Sequence, residues 1–401
     1  MQEQPNLNVS AKSRIQSIDL LRGIVIVIMA LDHVRDYFHA DNFLFEPNDL
    51  SQTTPAIFFT RWITHFCAPT FVFLAGTSAF LVSERKTKKQ LSIFLLTRGL
   101  WLMLLELTIV NFAWSFNPAL PFTRLQVIWA LGFCMVLLSI VVHLPKPVIL
   151  ILGLSILFGH NMLDHIHATQ NTFRDFLWGE LHERKRFVFG GFTVSTGYPI
   201  LPWFGIMALG YCFGQFYQKG FDALKRRKYL LLIGGSSLLL FIILRCFNIY
   251  GDKEIWTQQA SFAMTVCSFM NVTKYPPSLL YTLMTLGVSI SFLAISERKP
   301  GWLGSRLIHF GRVPMFFYIL HLYLIHILAT LAIVISGRPW TDTILTFAAN
   351  AKDSPWLKGY GYSLFGTYLV WLLIILILYP LCKRYDKYKQ SHKDKWWLSY
   401  L

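Results

Sequence analysis

The chain has 401 residues, 54% of them hydrophobic and 14% charged, with 34 Phe, 17 Tyr and 13 Trp. So much apolar surface excludes a string of soluble domains and selects a polytopic membrane protein. The net charge of +16 would suit nucleic acid, but the basic residues fall in particular loops between apolar runs, which excludes that partner.

Residues 1–16 read as a polar cytoplasmic tail, 17–382 as one membrane domain and 383–401 as a basic cytoplasmic tail. The first apolar run, about 17–38, carries charges and no small-residue cleavage site, so it is a retained helix and not a signal peptide. Ser17 or Asp19 caps its start. Asp19 and Arg22 interrupt its beginning; Asp32, His33, Arg35, Asp36 and His39 interrupt its end. Arg22 and His33 lie on one face, about 16 Å apart along the axis. Asp19, Ile26, Met29 and Asp36 extend the same stripe. Ionisable groups within a span face a bundle interior or a watery cavity. This helix is therefore expected to wall a cavity running between the two membrane faces.

The second span, about 56–83, ends in SERKTKK. The third, about 91–113, stops at FNPALP; the fourth, about 124–143, closes at HLPKP; the fifth, about 147–163, is short. Residues 160–198 form the longest polar interruption. The sixth span is about 199–217 and the seventh about 229–248. A second long loop, 249–276, precedes the eighth span, about 278–296. The ninth, about 308–335, carries His309, His321 and His326, and the tenth, about 360–381, leads into the basic tail. The expected fold is an all-α bundle of about ten transmembrane helices. Ten spans put both termini on one side. That side also carries the short basic loops (KTKK, KRRK and ERK), so it is cytoplasmic by the positive-inside rule. The Arg22 end of the first helix then faces the cytosol and the His33 end faces out.

A histidine beside a carboxylate is the usual hardware of a general base. Asp36 lies about one turn after His33 on the same face, whereas Asp32 points elsewhere. His39 reads equally well as part of a polar helix end. Arg22 with Asp19 is an i, i+3 pair at the cytoplasmic mouth, and arginine suits phosphate recognition. His321 sits near mid-span and is the better functional candidate; His326 reads equally as a core histidine. HNMLDHIH contains His160, Asp164, His165 and His167, which are metal-ligand types. It lacks H-E-x-x-H and a cysteine partner, and the six cysteines form no C-x-x-C pair. No metal and no disulfide framework are expected.

SIDLLRGIVIVIMALDH followed by PTFVFLAGTSAFL resembles the start of the heparan-α-glucosaminide N-acetyltransferase catalytic-domain family and its bacterial relatives. YPILPWFGIMALGYCFG, KYPPSLLYTLMTLG and FGRVPMFFYILHLYLIH are similar to later blocks of the bacterial branch. Arg22, ten residues, then His33 is also similar to the R-x10-H signature of the wider transmembrane acyltransferase superfamily. The resemblance covers most of 14–382. It implies an acyl-CoA donor, acetyl-CoA by preference, bound from the cytosol at an inner membrane. It also implies an acyl acceptor on the far side. The superfamily signature selects His33, while the heparan enzyme's catalytic histidine falls nearer His39; His33 is preferred. His33 is then the base, or itself carries the acetyl group, and Asp36 or Asp32 orients it. Arg22, held by Asp19, lines the cofactor path, and His321 completes the site. The expected acceptor is a sugar bound by 160–198 and 249–276. The alternative is a proton- or ion-coupled transporter, against which stand the lack of an internal repeat and of matching broken helices.

Overall fold

The computed structural model describes residues 15–120, 122–297, 300–344 and 359–399. The polypeptide forms an all-α membrane bundle carrying one small sheet. In chain order come α1 (Gln16–Phe38), α2 (Pro55–Ser83), α3 (Lys88–Ser115), β1 (Phe122–Leu125) and α4 (Val127–Val141). Next are α5 (Lys146–Leu163), α6 (Phe173–His182), β2 (Arg186–Phe189), β3 (Phe192–Thr196) and α7 (Ile200–Phe213). The chain continues through α8 (Ala223–Phe247), α9 (Phe262–Met270), α10 (Leu279–Ile295) and α11 (Trp302–Arg312). It ends with α12 (Pro314–Ile335) and α13 (Leu364–Ser391). Six of these, α2, α3, α5, α8, α12 and α13, are long and apolar enough to cross a membrane, while α4 and α10 are shorter apolar helices. α1 has a span's length, but its charges set it apart.

α1 lies inside the bundle, against α2, α11, α12 and α13. Its contact with α11 is backbone on backbone. A Cβ on Gly23 would stand 2.0 Å from the Leu307 carbonyl oxygen, and one on Gly311 would stand 1.8 Å from that of Asp19. Small residues allow such approach where lipid gives helices no hydrophobic reason to associate. The pairs Gly76 with Gly210, Gly99 with Gly132 and Gly234 with Gly287 repeat this crossing at α2–α7, α3–α4 and α8–α10.

Two departures from expectation shape the site. The ninth span is not one helix. It breaks between α11 and α12 because Pro314 has no N–H to give and drives Val313 out of helical geometry, to φ −129°, ψ 50°. Second, the long interruption at 160–198 is folded. It holds α6 and a hairpin, β2 and β3, closed by Gly190 and Gly191 at φ +54° and +84°. Two positive φ angles in a two-residue turn match the twist of the flanking strands, and glycine takes them without strain. β1 joins β3 in parallel, giving the order β1-β3-β2. α3 is linked to this cap by a π-helical turn at Glu106–Val110. There Asn111 donates to the Glu106 carbonyl (2.6 Å) and accepts from the Arg124 N–H (2.8 Å). The buried Glu106 carboxylate accepts from the N–H groups of Ile128 and Trp129, at 3.1 and 3.2 Å, and so caps α4.

Candidate functional site

A cavity of about 910 Å³ is lined by α1 from Arg22 at one end, through Ile26, Met29 and His33, to Asp36 at the other. That is the stripe read from the sequence.

At the first end, the Arg22 guanidinium donates to the Leu74 carbonyl (3.1 Å) and to the Ser78 hydroxyl of α2, and lies 3.8 Å from Asp19. Asp19 also accepts from Arg312 of α11 at 3.3 Å. Arg312 approaches Asp386 of α13 at 3.5 Å, and Asp386 pairs with His309 at 2.7 Å. Basic side chains and carboxylates alternate along this chain of contacts. The expected Asp19–Arg22 pair is present, and Arg312 and Asp386 extend it.

Midway, His33 Nδ1 and His321 Nε2 are 2.7 Å apart, although 288 residues separate them. His321 is fully buried, and its Nδ1 lies 3.1 Å from the Phe317 carbonyl oxygen. A carbonyl only accepts, so His321 Nδ1 carries the proton and its Nε2 offers a lone pair. His33 Nδ1 must then donate to it. The remaining His33 nitrogen, Nε2, is left as a lone pair on a cavity-lining ring. The Trp114 ring meets the edge of His33 at 5.0 Å.

The Asp36 carboxylate turns to Arg35, at 2.8 Å, and not to His33, while Asp32 takes Arg35 at 3.0 Å and also Arg61. Two guanidiniums outbid a ring that His321 already holds. His39 ends α1, its N–H on the Arg35 carbonyl (3.0 Å) and its backbone bridged to Tyr362. It stands outside the cavity wall, and burial lowers its basicity. His326 is five residues from His321 on the same helix, but both its nitrogens face carbonyls, Ala113 at 2.8 Å and Thr343 at 3.0 Å. Phe116 stacks on it at 3.7 Å, as befits a core histidine.

The far end is cationic. Arg35, Arg61, Arg124, Arg184, Arg186 and Lys274 line it beside Asp32, Asp36 and Glu46. Burial pushes the Tyr275 phenol up, but Lys274, Arg61 and Arg184 together outweigh that and bring it down to about 7. Arg184 stands over the Tyr275 ring at 4.7 Å, and the phenol donates to Tyr198 at 3.4 Å. The sequence reading passed over these residues. Arg61 stands inside the apolar second span, and an arginine there is itself a signal. Arg184 and Lys274 lie in stretches read as loops and gave none, and Arg124 falls at the very start of the expected fourth span.

Away from the cavity, His160, Asp164 and His182 come together, one donor atom from each lying within 4.8 Å of the others. His165 and His167 are exposed.

Residues 14–245, more than half of the chain, match the family model described as heparan-alpha-glucosaminide N-acetyltransferase, catalytic. The match takes in Arg22, His33, Arg61 and Arg124, and ends before His321. No curated protein matches the chain.

Proposed function

The chain belongs to the heparan-alpha-glucosaminide N-acetyltransferase catalytic family, and from that premise we propose that it moves an acetyl group from cytosolic acetyl-CoA to a sugar outside the membrane. The observation that carries this reading is the cavity whose wall holds both Arg22 and the His33–His321 pair. The Arg22 end is cytoplasmic, as the basic short loops favour, and the membrane is the inner one. The CoA phosphates meet the cations at that mouth, where Asp19 keeps the Arg22 guanidinium in place. The thioester then reaches His33.

His33 Nε2 takes the proton of an acceptor hydroxyl or amine as its oxygen or nitrogen attacks the thioester carbonyl. The carbon–sulfur bond breaks, the acetyl group stays on the acceptor, and the CoA thiolate recovers the proton from Nε2. The imidazolium formed in between donates from Nδ1 to His321 Nε2, a hydrogen bond already made before reaction. Asp32 and Asp36 act at one remove, holding Arg35 and Arg61 at the acceptor end.

The test is acetyl-CoA binding and turnover by the purified protein in detergent, with a sugar acceptor or with water. Arg22→Ala is expected to weaken binding. His33→Ala is expected to keep binding and lower turnover by about 10²–10⁴-fold. Turnover lost in His39→Ala but kept in His33→Ala would move the base to His39. Absence of CoA binding in every form would refute the proposal.

A further inference from the structure

The cluster at the outer end of α5 is separate from the cavity and owes nothing to the acyltransferase reading. His160 opens a 3-10 turn at His160–Leu163, Asp164 follows it, and His182 is the last residue of α6. His160 is 2% exposed and His182 3%. Neither ring nitrogen of His160 has a hydrogen-bond partner, and His182 Nδ1 has none either. His182 Nε2 rests on Asp164 Oδ1 at 3.1 Å. The other Asp164 oxygen accepts from Asn161 at 2.8 Å, and Asn161 in turn accepts from the Leu279 N–H at 2.9 Å.

A neutral imidazole has one proton to give and one lone pair to fill. Burying it with both unmet carries the full desolvation penalty, and buried polar groups left in this state are rare in folded proteins. A cation among the three residues removes the anomaly, because a deprotonated ring nitrogen is a ligand. Two imidazoles and one carboxylate, with the carboxylate steadied from outside by Asn161, are a familiar zinc donor set that leaves a fourth position for water. We propose that His160, Asp164 and His182 form a zinc site that fastens the outer cap to α5. His182 is two residues before Arg184, which with Arg186 lines the cavity. The ion would thus anchor the wall that presents those guanidiniums. The role inferred for the ion is to hold the cap in place, and no step of the acyl transfer is routed through it.

The full-length protein, purified in detergent and stripped of metal, is reloaded with zinc chloride, passed over a sizing column and assayed for metal. About one zinc per chain is expected, together with a rise in unfolding temperature on loading. His160→Gln and His182→Gln should lose both effects, and the exposed pair His165→Ala with His167→Ala should keep both. Cobalt loading of the unaltered protein should give the intense visible bands of a four-coordinate site, a readout that needs no variant to fold. No zinc and no cobalt bands in the unaltered protein would overturn the proposal. Zinc retained in His160→Gln but lost in the exposed double variant would overturn it equally.

Discussion

The two ends of the cavity are built by different means. At the Arg22 end, α1, α11 and α13 supply a chain of ion pairs in which Asp19 and Asp386 alternate with Arg22, Arg312 and His309. The helices cross backbone to backbone at Gly23 and Gly311, so these side chains are placed by helical geometry itself. At the other end, α1 and α2 contribute Arg35 and Arg61, but β1, the approach to β2, and the loop before α10 contribute Arg124, Arg184 and Lys274. Cations there exceed carboxylates. The first end is a socket of paired arginines and carboxylates held by crossing helices; the second is an electropositive vestibule lined in part by the cap. The family match covers much of the framework of both, while Lys274, Tyr275, Arg312 and Asp386 lie beyond it.

Four substitutions sharpen this contrast. The largest effect is expected at the vestibule, where Asp32→Asn leaves Arg61 and Arg35 sharing one site without their common carboxylate. Breaking a buried pair in this way costs about 3–5 kcal/mol, to be read as a lowered unfolding temperature in detergent. Stability equal to that of the parent would show that the vestibule does not depend on this pair. At the socket, Gly311→Ala drives a methyl into the Asp19 carbonyl and forces α1 and α11 apart. Overpacking of this kind costs about 1–3 kcal/mol, and it should also raise the KM for acyl-CoA, since Asp19 and Arg22 shift together. A stable variant with unchanged KM would mean that the crossing does not set the socket. The smallest effect is spectroscopic. Tyr275 is expected to show phenolate absorbance with a midpoint of about 7, absent in Tyr275→Phe. Arg184→Ala removes a cation from the ring, so the midpoint should move up; an unmoved midpoint would mean that Arg184 does not set it. The phenol ionises more easily folded than unfolded. Its contribution to stability is therefore lost as pH falls through about 7 and grows as pH rises towards the ordinary tyrosine value of 10.0.

How far the sequence could be read follows the same division. α1 was expected at about 17–38 and runs Gln16–Phe38, because a long apolar run with a charge at each end has few other foldings. The stripe from Arg22 to Asp36 lines a cavity because the helical period alone puts those residues on one face. His321 was singled out as a charge-capable residue deep in a span, but its bond to His33 joins residues 288 apart and no local pattern carries it. The partner of Asp36 was hidden for the same reason. Spacing put a carboxylate within reach of His33, and only packing shows that Arg35 and Arg61 claim both carboxylates. The cap was missed because its strands are four and five residues long, and β2 opens on an arginine within a polar stretch. The break before Pro314, by contrast, was visible in Val313–Pro314 and was passed over in favour of apolar continuity.

A polar cavity lined along α1 from Arg22 to Asp36 would let a membrane leak if water filled it from face to face. Protons and metal ions need only a continuous polar path, and the gradient across an energised membrane pulls them along it. Here fixed guanidiniums stand at both rims, with Arg22 and Arg312 at one and Arg61, Arg124 and Arg184 at the other. Fixed positive charge in a narrow passage excludes hydronium and small cations, as it does in water-selective pores, while leaving anions free to enter. A polar interior guarded by fixed guanidiniums is thus a poor path for protons and small cations.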